Sequence, residues 1–356
     1  MRISQFTAYV IRVPLKRPFR HASAVRSESD NLLVRCELVD GTIGWGEGVP
    51  RKYVTGETPD GCLEQFAATP IAEQLANDCD NWPEVIALCD RFEPTVMVVD
   101  SRGCHGNSLR AAVELSLLDA YGKLLGEPVR NVVEHLPAAS TIRAQREQVQ
   151  YSTTIDAEDV STLWRSALKM RLYGFVQCKV KVGADADADA ERLATIRRWI
   201  GPRVDLRVDA NEAWRPENLI ERVTRLLPSG ISCVEQPLPH EDLPALGDLR
   251  KELRVPVMLD ESLTSLQDAA EAIRLDACDF FNIRISKCGG FLNSVRLAAV
   301  AHKHGIGYQL GCHPGETGIL SAAGRSYATA IGDIRYLEGS YDRHVLAESI
   351  TTRDLT

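Results

Sequence analysis

The sequence predicts an α/β fold in two parts: an α+β amino-terminal region followed by a barrel of alternating strands and helices. Three observations carry that prediction. Five short aliphatic runs end in charged groups: Lys179-Val180-Lys181, Val208-Asp209-Ala210-Asn211, Val234-Glu235-Gln236-Pro237, Leu259-Asp260-Glu261-Ser262 and Ile285-Ser286-Lys287-Cys288-Gly289-Gly290. The steps from Lys181 through Asp209, Glu235 and Asp260 to Lys287 are 28, 26, 25 and 27 residues, about the length of one strand, one helix and two short loops. The first 126 residues lack this period and read instead as three strands followed by three helices, an α+β pattern. Repeated βα units make parallel strands, and in a closed (β/α)₈ barrel their carboxyl ends form the active-site mouth. Lys181, Asp209, Glu235, Asp260 and Lys287 converge there.

Taken in order, strand-like runs cover Ile3 to Val13, Asn31 to Leu38 and Thr42 to Glu47, the last two joined by an Asp40-Gly41 turn. Between the first two lies a basic loop from Lys16 to Ser23, and after the third a loop from Gly48 to Glu57; either can connect elements or cover a site. Helical patterns follow at 61–77, 82–92 and 108–126, the last packed with Ala, Leu and Glu. Pro128, Pro137 and polar residues break the periodicity over 126–147 and mark the boundary. Strands are then expected at 149–154, 176–182, 204–209, 231–235, 256–260, 280–285, 306–310 and 334–338. Helices fill 158–173, 186–200, 216–228, 242–252, 265–275, 290–304 and 316–330, with Gly174, Gly201 and Gly305 placed as helix ends. Beyond Tyr336 the chain no longer fits a full barrel helix.

Composition bounds the function. A chain of 356 residues holds one or two domains, and 44% hydrophobic with 25% charged residues is ordinary for a globular protein. A net charge of −8 offers no general basic surface for nucleic acid. No apolar run approaches the roughly 20 residues of a membrane span. The start, Met1-Arg2-Ile3-Ser4-Gln5-Phe6, lacks a signal core. Ten scattered cysteines contain no CxxC pair, which points to reduced thiols rather than a disulfide framework. The expectation is a cytoplasmic enzyme.

Asp209, Glu235 and Asp260 are hard oxygen donors at equivalent places on three successive strands, a set suited to Mg²⁺, with Mn²⁺ possible. Any one of them alone reads as a loop acid or helix cap; three in phase read as a metal centre. Lys179 and Lys181 share one face of their strand, and buried lysines need anions nearby, which the carboxylates and an acidic substrate supply. Lys287 ends a strand four units further round, across the mouth from Lys181. Paired lysines can remove a proton from one face of a carbon acid and return one to the other, with burial and neighbouring cations lowering their pKa. The metal would stabilise the enediolate formed from the substrate carboxylate.

In order, Lys-x-Lys, Asp-x-Asn, Glu-Gln-Pro, Asp-Glu-Ser and Lys-x-Gly-Gly resemble the enolase superfamily, in its muconate-lactonizing-enzyme subgroup. Superfamily members are known to pair lysine or histidine bases with Mg²⁺. The resemblance implies a modified TIM barrel, (β/α)₇β, over 127–338, an α+β capping domain over 1–126, and a segment at 339–356 returning to the cap. It also implies Asp209, Glu235 and Asp260 as Mg²⁺ ligands, Lys181 and Lys287 as acid/base catalysts, and Lys179 as a substrate contact that lowers the pKa of Lys181. Asn211 and Glu261 would support the ligands, Glu261 by pairing with Lys287.

Substrate choice would fall to the capping loops around Arg20 and around Arg51 and Tyr53, and to the strand ends carrying His313, Glu316 and Glu338. Glu316 matches an acid common after the seventh strand in this subgroup. The family's mandelate-racemase subgroup uses a histidine paired with aspartate, an arrangement that does not include Lys287, so His313 is a substrate contact or a structural loop residue. Dipeptide epimerases of the family carry Asp-x-Asp after the eighth strand where this chain has Glu338-Gly339-Ser340, although Thr55-Gly56-Glu57-Thr58 resembles them. The expected activity is racemisation or epimerisation of an amino-acid derivative, by removal of the proton α to its carboxylate. The same chemistry also serves cycloisomerases and dehydratases. A Schiff-base aldolase using Lys179 or Lys181 and a non-catalytic binding barrel are the readings from other classes. The expected partners are a small carboxylate and further copies of the chain, from dimer to octamer, with neither nucleic acid nor membrane.

Overall fold

A computed structural model describes residues 1–21, 24–98, 100, 102–155, 160–183 and 185–352, with the side chains of 19–21, 24 and 160 excepted. The amino-terminal part is a three-stranded antiparallel sheet, β1 (Ile3–His21), β2 (Ala24–Leu38) and β3 (Ile43–Gly48), in that order. Four short helices and the long helix Asn107–Leu125 cover it. Leu32, Val34, Cys36 and Leu38 of β2 are buried in its core.

Two elements depart from the expected pattern. In place of a loop from Lys16, β1 runs on to His21 and pairs with β2 as far as Ala24. Pro14 and Pro18 are tolerated because β1 is an edge strand, where a missing N–H costs little, and a register shift between Pro14 and Phe19 absorbs the irregularity. The helical pattern over 61–77 divides into Pro59–Ala68 and Ile71–Gln74 because Pro70 cannot continue the first helix.

Strand β3 reads Ile-Gly-Trp-Gly-Glu-Gly, and its glycines have a packing cause. A Cβ on Gly44, Gly46 or Gly48 would lie 2.1, 1.9 or 2.1 Å from the carbonyl oxygens of Ser116, Ala112 and Ser108. Alternate residues of the strand thus meet every fourth residue of the long helix, the spacing at which both elements repeat a face. Bare backbone on both sides lets the helix lie directly on the sheet.

The second part is a sheet of eight parallel strands in chain order: β4 (Thr153–Ile155), β5 (Gln177–Lys181), β6 (Asp205–Asp209), β7 (Ile231–Glu235), β8 (Val257–Leu259), β9 (Phe280–Ile283), β10 (Gly307–Leu310) and β11 (Ile334–Leu337). The sheet curls until its edges meet, where the Ser152 N–H donates to the Leu337 carbonyl at 2.7 Å. Val180, Val208, Val234, Leu259 and Ile283 are buried in the large apolar cluster, while the residues that alternate with them face inward. Cys233, Met258 and Tyr336 form a separate apolar floor, and above it the interior is charged.

Helices separate successive barrel strands, but among the described residues β11 is followed only by the single turn Asp342–Val345. That segment lies against the cap: Leu346 bridges Leu15, and the Ala347 N–H donates to the Pro14 carbonyl at 2.8 Å. Two buried cap acids also reach the barrel. Glu47 accepts from the N–H groups of Thr317 (2.9 Å) and Leu320 (3.0 Å) at the start of helix Gly318–Ala330. Glu114 accepts from the Leu292 N–H (3.1 Å) at the start of helix Phe291–Lys303. Carboxylates at helix amino termini satisfy unpaired donors and complement the helix dipole.

Candidate active site

Strand register sets the geometry of the mouth. Lys181 is level with Asp209, and Asp209 with Glu235, across neighbouring strands. Lys181 ends the second barrel strand and Lys287 follows the sixth, so three strands lie between them; Asp209 and Glu235 end the third and fourth, and Asp260 follows the fifth. The backbone is left-handed just after two of the acids, with φ of 43° at Asn211, 65° at Glu212 and 35° at Gln236. Strain of that kind in non-glycine residues costs of order 1–3 kcal/mol each and persists where surrounding bonds over-determine it. Gln236 supplies such bonds: its Oε1 accepts from the N–H groups of Asp260 (2.8 Å) and Ser262 (3.1 Å), and its Nε2 donates to Ser262 Oγ (2.6 Å). One amide therefore joins the loops carrying Glu235 and Asp260.

The charged interior divides into two networks. In the first, Lys179 Nζ lies 3.3 Å from Asp209 Oδ2, 3.4 Å from Glu235 Oε1 and 2.9 Å from Glu338 Oε1. Arg207 reaches Glu338 as well and stacks its guanidinium on Tyr336, 4.5 Å from the ring centre. Burial opposes charge on Lys179, but the three carboxylates outweigh it and hold its pKa above the usual lysine range. Burial likewise opposes ionisation of Glu338, yet Lys179 and Arg207 hold its carboxyl down at about 2. Glu338 is thus committed to an ion pair inside the barrel.

In the second network, Lys287 Nζ donates to the Asp260 carbonyl (2.6 Å), to Asp260 Oδ1 (2.8 Å) and to the Asn282 carbonyl (2.8 Å), while Arg284 takes the other oxygen of Asp260. Burial, reinforced by the charge of Arg284, lowers Lys287 to about 7, a range in which an amine works as a general base near neutral pH. Asn211 joins this region to the first network: its N–H donates to Asp209 Oδ1 (3.1 Å) and its Nδ2 to Glu261 Oε1 (3.3 Å). Burial and the negative charges of Asp209 and Glu212 push Glu261 up to about 8. Glu261 is close enough for its charge to favour the protonated Lys287.

His313, Glu316 and Arg51 form a third group, where the cap meets the loop after β10. His313 is 2% exposed, and both its ring nitrogens are buried without a hydrogen-bond partner among the described residues. Burial and the cations Arg284, Arg51 and Lys287 keep it neutral. Glu316 accepts from the His313 N–H at 2.7 Å, and burial raises its carboxyl to about 8. The buried Arg51 donates to Ser29 Oγ (2.8 Å) and to the carbonyls of Asp30 (3.0 Å), Pro50 (2.8 Å) and Pro314 (3.4 Å), so it braces the cap against the barrel loop. Tyr53 is half-buried in the one-turn helix that follows. The side chain of Arg20 lies outside the described residues.

Arg207, Asn282 and Arg284 were not anticipated. The alternation that pairs Lys179 with Lys181 also pairs Arg207 with Asp209 and Asn282 with Arg284, so the signal was present. Asn282 donates to Glu235 Oε1 at 2.7 Å.

The three carboxylates are of the type a hard divalent cation takes, although their oxygens are not all drawn within 4.8 Å of one another. All three groups are buried oxygen donors at the ends of adjacent strands, and Glu235 Oε2 has no hydrogen-bond partner among the described residues, with Arg207 Nε 4.0 Å away.

Comparison with known proteins decides the family. The family described as enolase C-terminal domain-like matches residues 162–356. This chain belongs to the enolase superfamily. The enzyme superimposes on the N-succinyl Arg/Lys racemase from Bacillus cereus with a TM-score of 0.86 at 27% identity, over 98% of this chain and 90% of that one. It superimposes on the dipeptide epimerase from Methylococcus capsulatus, in complex with Mg and the dipeptide L-Arg-D-Lys, with a TM-score of 0.82 at 30% identity, over 98% and 93%. Muconate cycloisomerase 1 of Rhodococcus opacus is 29% identical over 88% of this chain and 79% of its own length. The enzyme is an isomerase of this superfamily.

Proposed function

We propose that the enzyme racemises or epimerises an amino-acid derivative by moving the proton on the carbon α to its carboxylate. The observation that carries the reading is the arc of the mouth: three buried acids at the ends of the third to fifth strands, flanked by Lys181 on the second and Lys287 after the sixth. Asp209, Glu235 and Asp260 would hold Mg²⁺ or Mn²⁺, which supplies positive charge beside the substrate carboxylate and so acidifies the α-hydrogen. Lys181 takes the proton from one face of that carbon and Lys287 delivers one to the other; the reverse reaction exchanges their roles. Lys179 stays charged and balances the buried carboxylates.

The substrate class follows from what the eighth strand offers. Glu338 is neutralised by Lys179 and Arg207, so it presents no spare negative charge to a free ammonium group. Around His313 the charge is cationic, from Arg51, Arg284 and Lys287. An N-acylated amino acid fits this surface better than a dipeptide with a free amine.

The test is proton exchange in D₂O with Mg²⁺, using N-succinyl amino acids and dipeptides. Recovered N-succinyl substrate gains one deuterium and loses optical purity. Lys181→Ala and Lys287→Ala each lower the racemisation rate by about 10³-fold or more, on the scale of removing a positioned acid or base, with the fold intact. Loss of water or appearance of a new ring in place of exchange would move the reading to dehydration or cycloisomerisation.

A further inference from the structure

The backbones of the two lysines are held by different domains. The Lys181 carbonyl accepts from Arg192 Nη2 at 3.1 Å, a residue of the barrel's own helix Ala186–Ile200. The Lys287 carbonyl accepts instead from Asn107 Nδ2 at 2.7 Å, and Asn107 is the first residue of the long cap helix. The second hydrogen of the same amide goes to the Thr264 carbonyl at 2.9 Å. Thr264 stands four residues after Asp260, so one planar group spans the loop bearing Asp260 and the loop bearing Lys287.

The surroundings suit that role. Asn107 is buried. A Cβ on Gly289 would sit 2.7 Å from Asn107 Oδ1, so the first glycine of the Lys-x-Gly-Gly run leaves room for the amide. The cap holds these loops at two further points: Arg102 Nη2 donates to the Glu261 carbonyl at 2.5 Å, and Ser286 Oγ accepts from the Val49 N–H at 2.7 Å. The cap helix is in turn seated on the glycines of β3, which makes it a stiff support.

We infer that Asn107 is a positioning residue for proton transfer: through its bonds to the Lys287 and Thr264 carbonyls, the capping domain sets where the Lys287 amine stands relative to Asp260. Lys181 is set independently by the barrel, so the two faces of the substrate carbon are controlled from different domains. The inference rests on the proposed roles of the two lysines. Displacing a catalytic group by about 1 Å can cost as much as 10²-fold, and here the loss falls on one face only.

Exchange in D₂O separates the faces. Enantiomer pairs of N-succinylarginine and N-succinyllysine, and diastereomer pairs of Leu-Tyr, are incubated separately with Mg²⁺ and each enzyme, and early α-deuteration is measured before racemisation proceeds. Lys181→Ala and Lys287→Ala show which stereoisomer each lysine deprotonates. Asn107→Asp keeps the shape and removes both donors; Asn107→Ala removes the group. In both, exchange of the stereoisomer served by Lys287 falls roughly tenfold or more relative to that served by Lys181. The ratio of the two rates cancels any loss of folded or metal-loaded enzyme. Arg192→Met skews the ratio the other way. An unchanged ratio in the Asn107 variants, whether both rates fall together or neither moves, would overturn the inference and leave the proposed function standing. Wild-type enzyme that exchanges none of the pairs would overturn both.

Discussion

Glu114 offers a stability prediction whose size can be worked out from its surroundings. It lies wholly inside the contact between the cap helix and helix Phe291–Lys303, accepting from the Leu292 N–H. Arg296, the barrel cation whose charge favours ionised Glu114, is engaged with both oxygens of Asp90 at 2.7 Å. Burial therefore dominates and raises the Glu114 carboxyl from 4.5 to about 7. A raised acid binds its proton more tightly in the folded chain than in the unfolded one. Between pH 4.5 and about 7 the folded state carries more protons, so this group's contribution to stability falls as pH rises through that window and is fully lost above it. At about 1.4 kcal/mol per pKa unit, the change between pH 5 and pH 8 is about 2.5 kcal/mol.

Glu114→Gln removes the titration while keeping an acceptor for Leu292. Any fixed cost of the new amide is the same at both pH values and cancels in the comparison. Urea unfolding of both proteins at pH 5 and pH 8 gives the double difference directly. The variant gains about 2.5 kcal/mol on wild type between the two pH values. A difference that stays constant from pH 5 to pH 8 would refute the argument that burial governs this carboxyl.

Three further outcomes follow from the packing and the charge networks. Gly46→Ala forces a Cβ to 1.9 Å from the Ala112 carbonyl oxygen; backbone faces backbone there, so the variant loses about 3 kcal/mol or more, and a wild-type melting temperature would contradict the packing argument. Lys179→Met strips the cation shared by Asp209, Glu235 and Glu338 and costs about 3–5 kcal/mol, because the acids are left buried with their charge uncompensated; thermal unfolding measures the loss. Treatment with EDTA abolishes turnover and Mg²⁺ or Mn²⁺ restores it, whereas Glu235→Gln raises the Mg²⁺ dissociation constant about tenfold or more by calorimetry; activity that persists in EDTA would remove the metal from the proposal.

The barrel was legible because its code is local. Side chains of a strand point alternately to its two faces, and the five charged strand ends follow one another at 25 to 28 residues, so position along the chain gives position around the mouth. Lys181, Asp209, Glu235, Asp260 and Lys287 could be assigned to one rim on that arithmetic alone. The extended β1–β2 hairpin was less legible, since Pro14 and Pro18 argue against a strand unless the strand is known to be an edge.

Contacts between segments far apart in sequence were not legible in this way. Glu338 is 159 residues from Lys179, and nothing near either residue foretells that they share a charge. Asn107 and Lys287 are separated by 180 residues, so an asparagine at a helix start reads as nothing more until the cap is laid on the barrel. The glycines of β3 carry no period of their own that names the helix they receive. Local periodicity determines which residues point to the mouth; which of them neutralise one another, and which domain holds each lysine, depends on close approach and burial, and those exist only once the chain has folded.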